Sequence, residues 1–195
     1  VDLEVKDKNG KIIDKREFFS KSWVKNWIYM IRAFFNTTGY NQYVILKDTS
    51  GANKTFYSSS SASNRGLQPL SVCAGSGVTT HGIRVGKSDY PWDKEQFQLV
   101  DPIGHGTGTD QLLHGAVTVE DVVDDPLEPS FRVTRAFTNN SGSSITVNEL
   151  GIYVHQFENY YGHGYFMILR DVLASPVSVP DGNTLTVRYT FFITY

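Results

Sequence analysis

One cysteine, Cys73, in 195 residues leaves no internal disulfide to be made. Stability must come from a packed core, and a chain of this length buries roughly 70% of the surface its unfolded form exposes. Charge is scarce too: charged residues are 19% of the chain, and 18 basic against 20 acidic residues leave a net charge of -2. With no basic stripe to neutralise phosphates, direct nucleic-acid readout is not expected. No apolar run approaches the ~18 residues of a membrane span, so no membrane partner is expected. The first residues lack the layout of a secretory leader, and synthesis in the cytoplasm is the expectation.

Catalytic signatures are missing as well. The stretch GHGTGTDQLLHG (104–115) is rich in glycine, but no Lys-Ser/Thr pair follows its last glycine and a strand follows it, not a helix. Nothing suggests the parallel βαβ unit of a dinucleotide site. The expectation is an irregular connection into the strand that follows. His105, His114, His155 and His163 show no HxH, HxxxH or Cys/His spacing, so no metal is assigned, although four imidazoles can converge in space. The GSG at 75–77 lacks the full nucleophile elbow. Cys73, in PLSVCAG, reads as a buried small residue. The acidic EDVVDDPLEP (120–129) lacks the alternating ligands and glycine of a calcium loop. No enzyme activity and no cofactor are expected.

What is plentiful is aromatic residues, at 13%, and 17 glycines, a composition suited to an all-β chain with many turns. Residues 2–18 read as a β-hairpin: Leu3 and Val5 alternate with charges, and Asn9-Gly10 is a type I′ turn pair. Residues 20–36 carry Trp23, Val24, Trp27, Ile28, Ile31, Phe34 and Phe35 at spacings of three and four, which predicts an amphipathic helix capped by Ser20 or Ser22. Its face packs either on the chain's own sheet or on a neighbouring subunit.

Strands are expected at 43–47, 54–57, 82–85, near 96–100 and from 111. The polar tract at 58–66 reads as a loop. Residues 130–156 read as a long hairpin around NNSGS, with Phe131, Val133, Arg135 and Phe137 on one face. A one-residue change of apolar phase near Gly151 suggests a β-bulge. Residues 164–173 read as a strand buried on both faces, and Pro180-Asp181-Gly182-Asn183 as a turn into a final alternating strand with a threonine-rich second face. The fold class is therefore mainly β: an antiparallel β-sandwich, jelly-roll-like in its strand spacing, with an N-terminal hairpin and one amphipathic helix. Residues 1–40 form the hairpin arm and helix and 41–195 the sandwich, in one compact whole.

The segments FRVTRAFTNNSGSSITVNELGIYV, YFMILRDVL and PVSVPDGNTLTVRYTFFI, with SWVKNWIYMI and GIRVG before them, resemble small β-rich virion structural proteins of tailed phages and related viruses. The resemblance implies a capsid decoration, neck, tail or baseplate component, located in the virion. Its partners would be copies of itself and other virion proteins, and no catalytic residues come with it. Trp23, Trp27, Phe34, Phe35, Tyr189 and Phe191 are then the candidate assembly contacts, with residues 1–18 as an arm that adds to a neighbour's sheet and is dispensable for folding. The alternative is a carbohydrate- or receptor-binding sandwich that stacks ligands on Trp92, Tyr160 and Tyr161.

Overall fold

The computed structural model describes residues 1–35, 43–57, 71–158 and 162–193. In chain order these residues form β1 (Asp2–Lys6), β2 (Ile12–Glu17), α1 (Lys25–Phe35), β3 (Tyr43–Lys47), β4 (Asn53–Tyr57), β5 (Gly82–Gly86), β6 (Gly104–His105), β7 (Gln111–Val119), β8 (Ser130–Thr138), β9 (Ile145–Glu158), β10 (Gly162–Val179) and β11 (Thr184–Phe192). Six strands make one sheet in the order β2-β1-β11-β8-β7-β6, three make a second in the order β10-β9-β5, and β3 pairs with β4 alone. All pairings are antiparallel except the two-residue contact of β6 with β7. Leu3, Val5, Val133, Phe137, Leu185 and Val187 of the large sheet share one core with Ile83, Val85, Ile145, Val147, Val177 and Val179 of the other. The chain is a mainly β, antiparallel sandwich.

The N-terminal hairpin forms, with a different turn. Asn9 is not in the left-handed region and only Gly10 has positive φ (82°). The Asp7 carboxylate accepts from the Asn9 and Lys11 amides, both at 2.9 Å, and Gly10 N–H donates to Asp7 O. This is a type I turn closed by a glycine bulge, not a type I′ turn. The β3–β4 turn repeats it: the Asp48 carboxylate accepts from the Ser50 and Ala52 amides, and Gly51 takes the positive φ. The shared signal is Asp-x-x-Gly.

β1 is not a detachable arm. It pairs over five residues with β11, from Asp2 opposite Arg188 to Lys6 opposite Thr184. Leu3 and Val5 are buried in the shared core. Losing them forfeits roughly 3–6 kcal/mol of burial, a large share of the roughly 5–15 kcal/mol by which a domain is stable, and the β1–β11 pairing goes with them. Removal of residues 1–18 is expected to abolish the cooperative unfolding transition seen by circular dichroism, rather than leave a folded, non-assembling chain.

Residues 130–156 are not a hairpin. β8 pairs with β7 and β11, whereas β9 pairs with β5 and β10 in the facing sheet. The 139–144 connection therefore crosses the sandwich, as does the turn at 180–183 between β10 and β11. The two corners are bonded together: Asn139 N–H donates to Asn183 O, Gly182 N–H to Asn139 O, and Gly142 N–H to the Asp181 carboxylate at 2.8 Å. The buried Asn139 carboxamide also donates to Val179 O at 2.6 Å. Alternation fixed the faces of these strands correctly but carries no information about partners.

The bulge expected near Gly151 exists, on the other strand. Ile168 of β10 is the extra residue, between Met167 opposite Tyr153 and Leu169 opposite Ile152. β9 itself is buried on both faces from Glu149 to Val154.

The free edges of the small sheet are covered by non-strand segments. Val24 N–H donates to Ile168 O and Arg170 N–H to Ser22 O along β10. Residues 20–24 are thus extended, α1 begins only at Lys25, and Ser20 and Ser22 are not helix caps. The face of α1 is rotated as well: Asn26, Met30 and Ala33 are buried while Ile28 is exposed, because the helix packs on β3 and β10 rather than on the middle of a sheet. Along β5, Ile103 N–H donates to Val85 O and Lys87 N–H to Asp101 O.

No strand forms at 96–100. That stretch is held in irregular form by buried side chains beneath it. Arg170 Nε donates to Glu149 Oε2 at 2.7 Å, with both side chains fully buried. The Glu149 carboxylate also accepts from the Val100 and Asp101 amides, and the Arg170 guanidinium donates to Tyr90 O, Pro91 O and Gln96 Oε1. Leu99 N–H donates to the Tyr153 hydroxyl at 2.5 Å. A Cβ at Gly86 would fall on the Glu149 carboxylate and the Asp101 carbonyl. Glu149→Gln leaves a buried guanidinium without its counter-charge. It is expected to cost about 3–5 kcal/mol in urea unfolding, with amide exchange at 90–101 accelerating most.

Candidate functional site

The glycine-rich stretch at 104–115 closes on one side chain. The chain turns around the Gln111 carboxamide, whose Oε1 accepts from Gly108 N–H at 3.0 Å. Gly106, at φ 150°, has no room for a side chain because a Cβ would overlap that oxygen. Gly106 N–H donates to Leu112 O, which aligns β6 parallel to the start of β7. The expected irregular connection into a strand is what forms.

That connection brings two of the sequence-flagged histidines together. His105 Nδ1 accepts the backbone N–H of His114 at 3.0 Å, and the rings lie edge to face at 5.6 Å. Accepting at Nδ1 puts the proton of a neutral His105 on Nε2, the edge that lies against Gly77. His114 is buried against Phe137. Neither of its ring nitrogens makes a well-formed hydrogen bond, and the Gly104 backbone offers a weak one. Burial lowers the His114 pKa to about 3, and the nearby Arg135 and Arg84 cations act in the same direction. Arg135 is itself buried, with its guanidinium spent on the carbonyls of Gly115, Ile83 and Val78 at 2.8, 2.9 and 2.6 Å. Burial, and then Arg84, brings its pKa down to about 10. Arg84 lies over the Tyr153 ring.

His155 joins a different group, stacking on Tyr165 at 4.8 Å and lying 5.1 Å from His81. The four flagged histidines therefore do not all meet, and the His163 side chain lies outside the described residues. Among the described residues, no group of three or more His, Cys, Asp or Glu is placed to hold a metal ion. Cys73 is exposed, not the buried small residue its apolar setting suggests: it lies in an irregular stretch, and its N–H donates to Ser71 Oγ.

The candidate ligand-stacking residues separate as well. Trp92 folds back so that its indole N–H donates to Ser22 O at 3.1 Å, which leaves the ring 42% exposed. Tyr160 and Tyr161 lie outside the described residues.

Of the candidate assembly contacts, Trp23 and Trp27 are half-buried and stack on each other at 4.7 Å. The Phe34 and Phe35 side chains lie outside the described residues. Tyr189 is a core residue, not a surface contact: its hydroxyl donates to the buried Asp171 carboxylate at 3.0 Å. Burial raises the Asp171 pKa against the lowering effect of its bonds from Ser20, Ser22 and Tyr189, and burial with the Asp171 charge raises Tyr189. Phe191 is half-buried, stacked on Phe131 at 4.9 Å and tilted against Trp23 at 6.2 Å.

Around Phe191 the sheet ends in apolar surface. One groove is lined by Val1, Phe19, Trp23, Leu169 and Phe192, and a second by Val122, Pro129, Phe131, Phe192 and Ile193. Phe191 and Phe192 line both. Phe19 is 77% exposed, Val122 66% and Ile193 62%, so the grooves open on solvent. Sequence spacing does not single out Phe19, beside Phe18, or Val122, beside Val123, because neither pair lies in an alternating pattern. Phe192 had a signal: it is the one large apolar residue on the threonine face of β11.

No helix among the described residues is long and apolar enough to cross a membrane. No family model, curated protein or solved structure matches this chain.

His114 makes stability pH-dependent. The unfolded imidazole takes up a proton near pH 6.5, while the folded one stays neutral down to about 3. The unfolded state therefore binds the extra proton, and stability is full above pH 6.5 and falls as the pH drops toward 3. Between pH 7 and pH 5 the wild type is expected to lose about 2 kcal/mol more than His114→Gln, read as the difference between their urea midpoints.

Proposed function

We propose that this chain is a structural subunit of a virus particle of the tailed-phage type and works through contacts between subunits. The observation that carries the reading is the continuous apolar end of the six-stranded sheet, where Phe19, Phe192, Ile193 and Val122 stand in solvent around two adjoining grooves. Isolated exposed apolar residues are ordinary, but contiguous apolar grooves mark surfaces that are covered by another molecule. The segments that resemble virion structural proteins supply β9 and also β8, β10 and β11, which contribute to the walls of those grooves.

The second reading, a carbohydrate- or receptor-binding module, draws on the exposed ring of Trp92. Solution mass separates the two. The purified chain at micromolar concentration is expected to elute as a defined oligomer by size exclusion with light scattering. The double variant Phe192→Ser, Ile193→Ser is expected to shift it toward monomer without loss of secondary structure. A wild type that stays monomeric at every concentration, and is retained on a glycan array through Trp92, would overturn the proposal in favour of the second reading.

A further inference from the structure

The structural-subunit reading leaves open what covers the apolar grooves, and the large sheet carries a surface that matches one of them at its other end. Lys6 lies opposite Thr184 and Asp2 opposite Arg188, so the tip of the β1–β2 hairpin sits at the start of β11. Phe191, Phe192 and Ile193 sit at its finish. At about 3.3 Å per residue, the length of β11 puts the two roughly 25–30 Å apart.

The two ends are complementary in charge and in apolar character. The second groove is bounded by residues 120–129, which hold Glu120, Asp121, Asp124, Asp125 and Glu128 and no basic residue. Residues 120–128 are all exposed, and none of the five carboxylates is in an ion pair among the described residues. At the hairpin end, Lys6 is paired with Glu4 and Arg16 with Asp14. Lys8, Lys11 and Lys15 are exposed and have no ion-pair partner among the described residues. Between them Ile12 and Ile13 are 46% and 47% exposed, on β2, whose outer edge pairs with no strand among the described residues. A single copy cannot bring its own two ends together.

We propose that the occupant of the groove is a second copy of this chain: the Lys8–Lys15 side of the β1–β2 hairpin docks, head to tail, between the groove at Phe131 and Phe192 and the acidic 120–129 segment of the next copy. The contact is heterologous. Repeated, it closes into a ring where the rotation allows and otherwise extends as a filament. The open edge of β2 gives the incoming surface backbone donors and acceptors, and Ile12 and Ile13 give it apolar area.

Charge reversal tests it. One variant is K8E/K11E/K15E. The other is D121K/D124K/E128K, which spares Asp125 because its carboxylate holds the turn by accepting from Leu127 and Glu128 N–H. All six positions are exposed, so both variants are expected to keep the wild-type far-ultraviolet spectrum. Each alone is expected to weaken association by about tenfold or more at low salt, read by light scattering. An equimolar mixture of the two is expected to recover association, with the variants alternating, because each acidic hairpin then meets a basic loop and each basic hairpin an acidic one. A wild-type oligomer that neither variant disturbs, or a mixture that fails to recover, overturns this interface and leaves the structural-subunit reading standing. A wild type that is monomeric at low salt overturns both.

Discussion

The buried pair of Glu149 and Arg170 is the constraint on which the small sheet depends. A three-stranded sheet has two open edges close to every residue, and β9 is the only strand in it with a neighbour on each side. Among the described residues neither flank of that sheet is covered by a further strand. Both are covered by irregular chain that makes only a few backbone bonds to the edge strands. For residues 90–101, Glu149 and Arg170 supply the rest, because each faces that stretch of main chain and bonds its amides or carbonyls. Exchanging such a pair for apolar residues would remove the desolvation cost but would leave those backbone groups unmet. The pair is better understood as fixing where residues 90–101 lie than as adding net stability.

The same device recurs with other residues. Arg135 projects from β8 into the core and holds the carbonyls of Val78, Ile83 and Gly115. Tyr153 holds Leu99, and Asp171 joins Ser20 to Tyr189. Each buried polar group reaches from a strand to a connecting segment far away in sequence. The cost is an interior with net positive character around Arg84 and Arg135, and His114 can sit there only as the neutral imidazole.

Much of this was legible in the residues, and what was not has physical reasons. The inward face of β8, with Arg135 on it, followed from alternation, as did the clean period of β11 and the double burial of β10. Alternation reports which face is buried, not which strand is adjacent, so the crossing of β8 and β9 between sheets was hidden. The information lay in the corner itself, where Asn139 bonds to the neighbouring turn rather than to its own loop alone. The helix face was misplaced because Trp23 and Val24 belong to the extended segment paired with β10, and including them shifted the apolar stripe. The missing strand at 96–100 had its cause fifty residues away, in Glu149 and Tyr153. As for the candidate site, Phe191 was found from β11, whereas Phe19 and Val122 had no periodic context to mark them.

The irregular segments that complete the sandwich also decide where it can meet other molecules. Segments 22–24 and 101–103 occupy the edges of the small sheet, so its backbone groups are already engaged on both sides. The large sheet is treated differently. Its β6 edge is only two residues long, and its β2 edge is met by no strand among the described residues. The two inter-sheet corners lie at the Thr184 end of β11, beside the hairpin tip, and there the turns satisfy one another with main-chain bonds. At the other end β11 runs out past Phe131 and Phe192, beside a turn closed by the Val123–Ser130 bridge and the Asp125 carboxylate, and residues 18–22 pass there from β2 to the edge of β10. The sandwich is therefore polar along its strands, with a hydrogen-bonded end and an apolar one. That polarity reflects where the two bonded corners lie, since 139–144 and 180–183 both sit at the Thr184 end of β11. A head-to-tail contact joins the two unlike ends, whereas a two-fold contact brings like ends together, apolar against apolar.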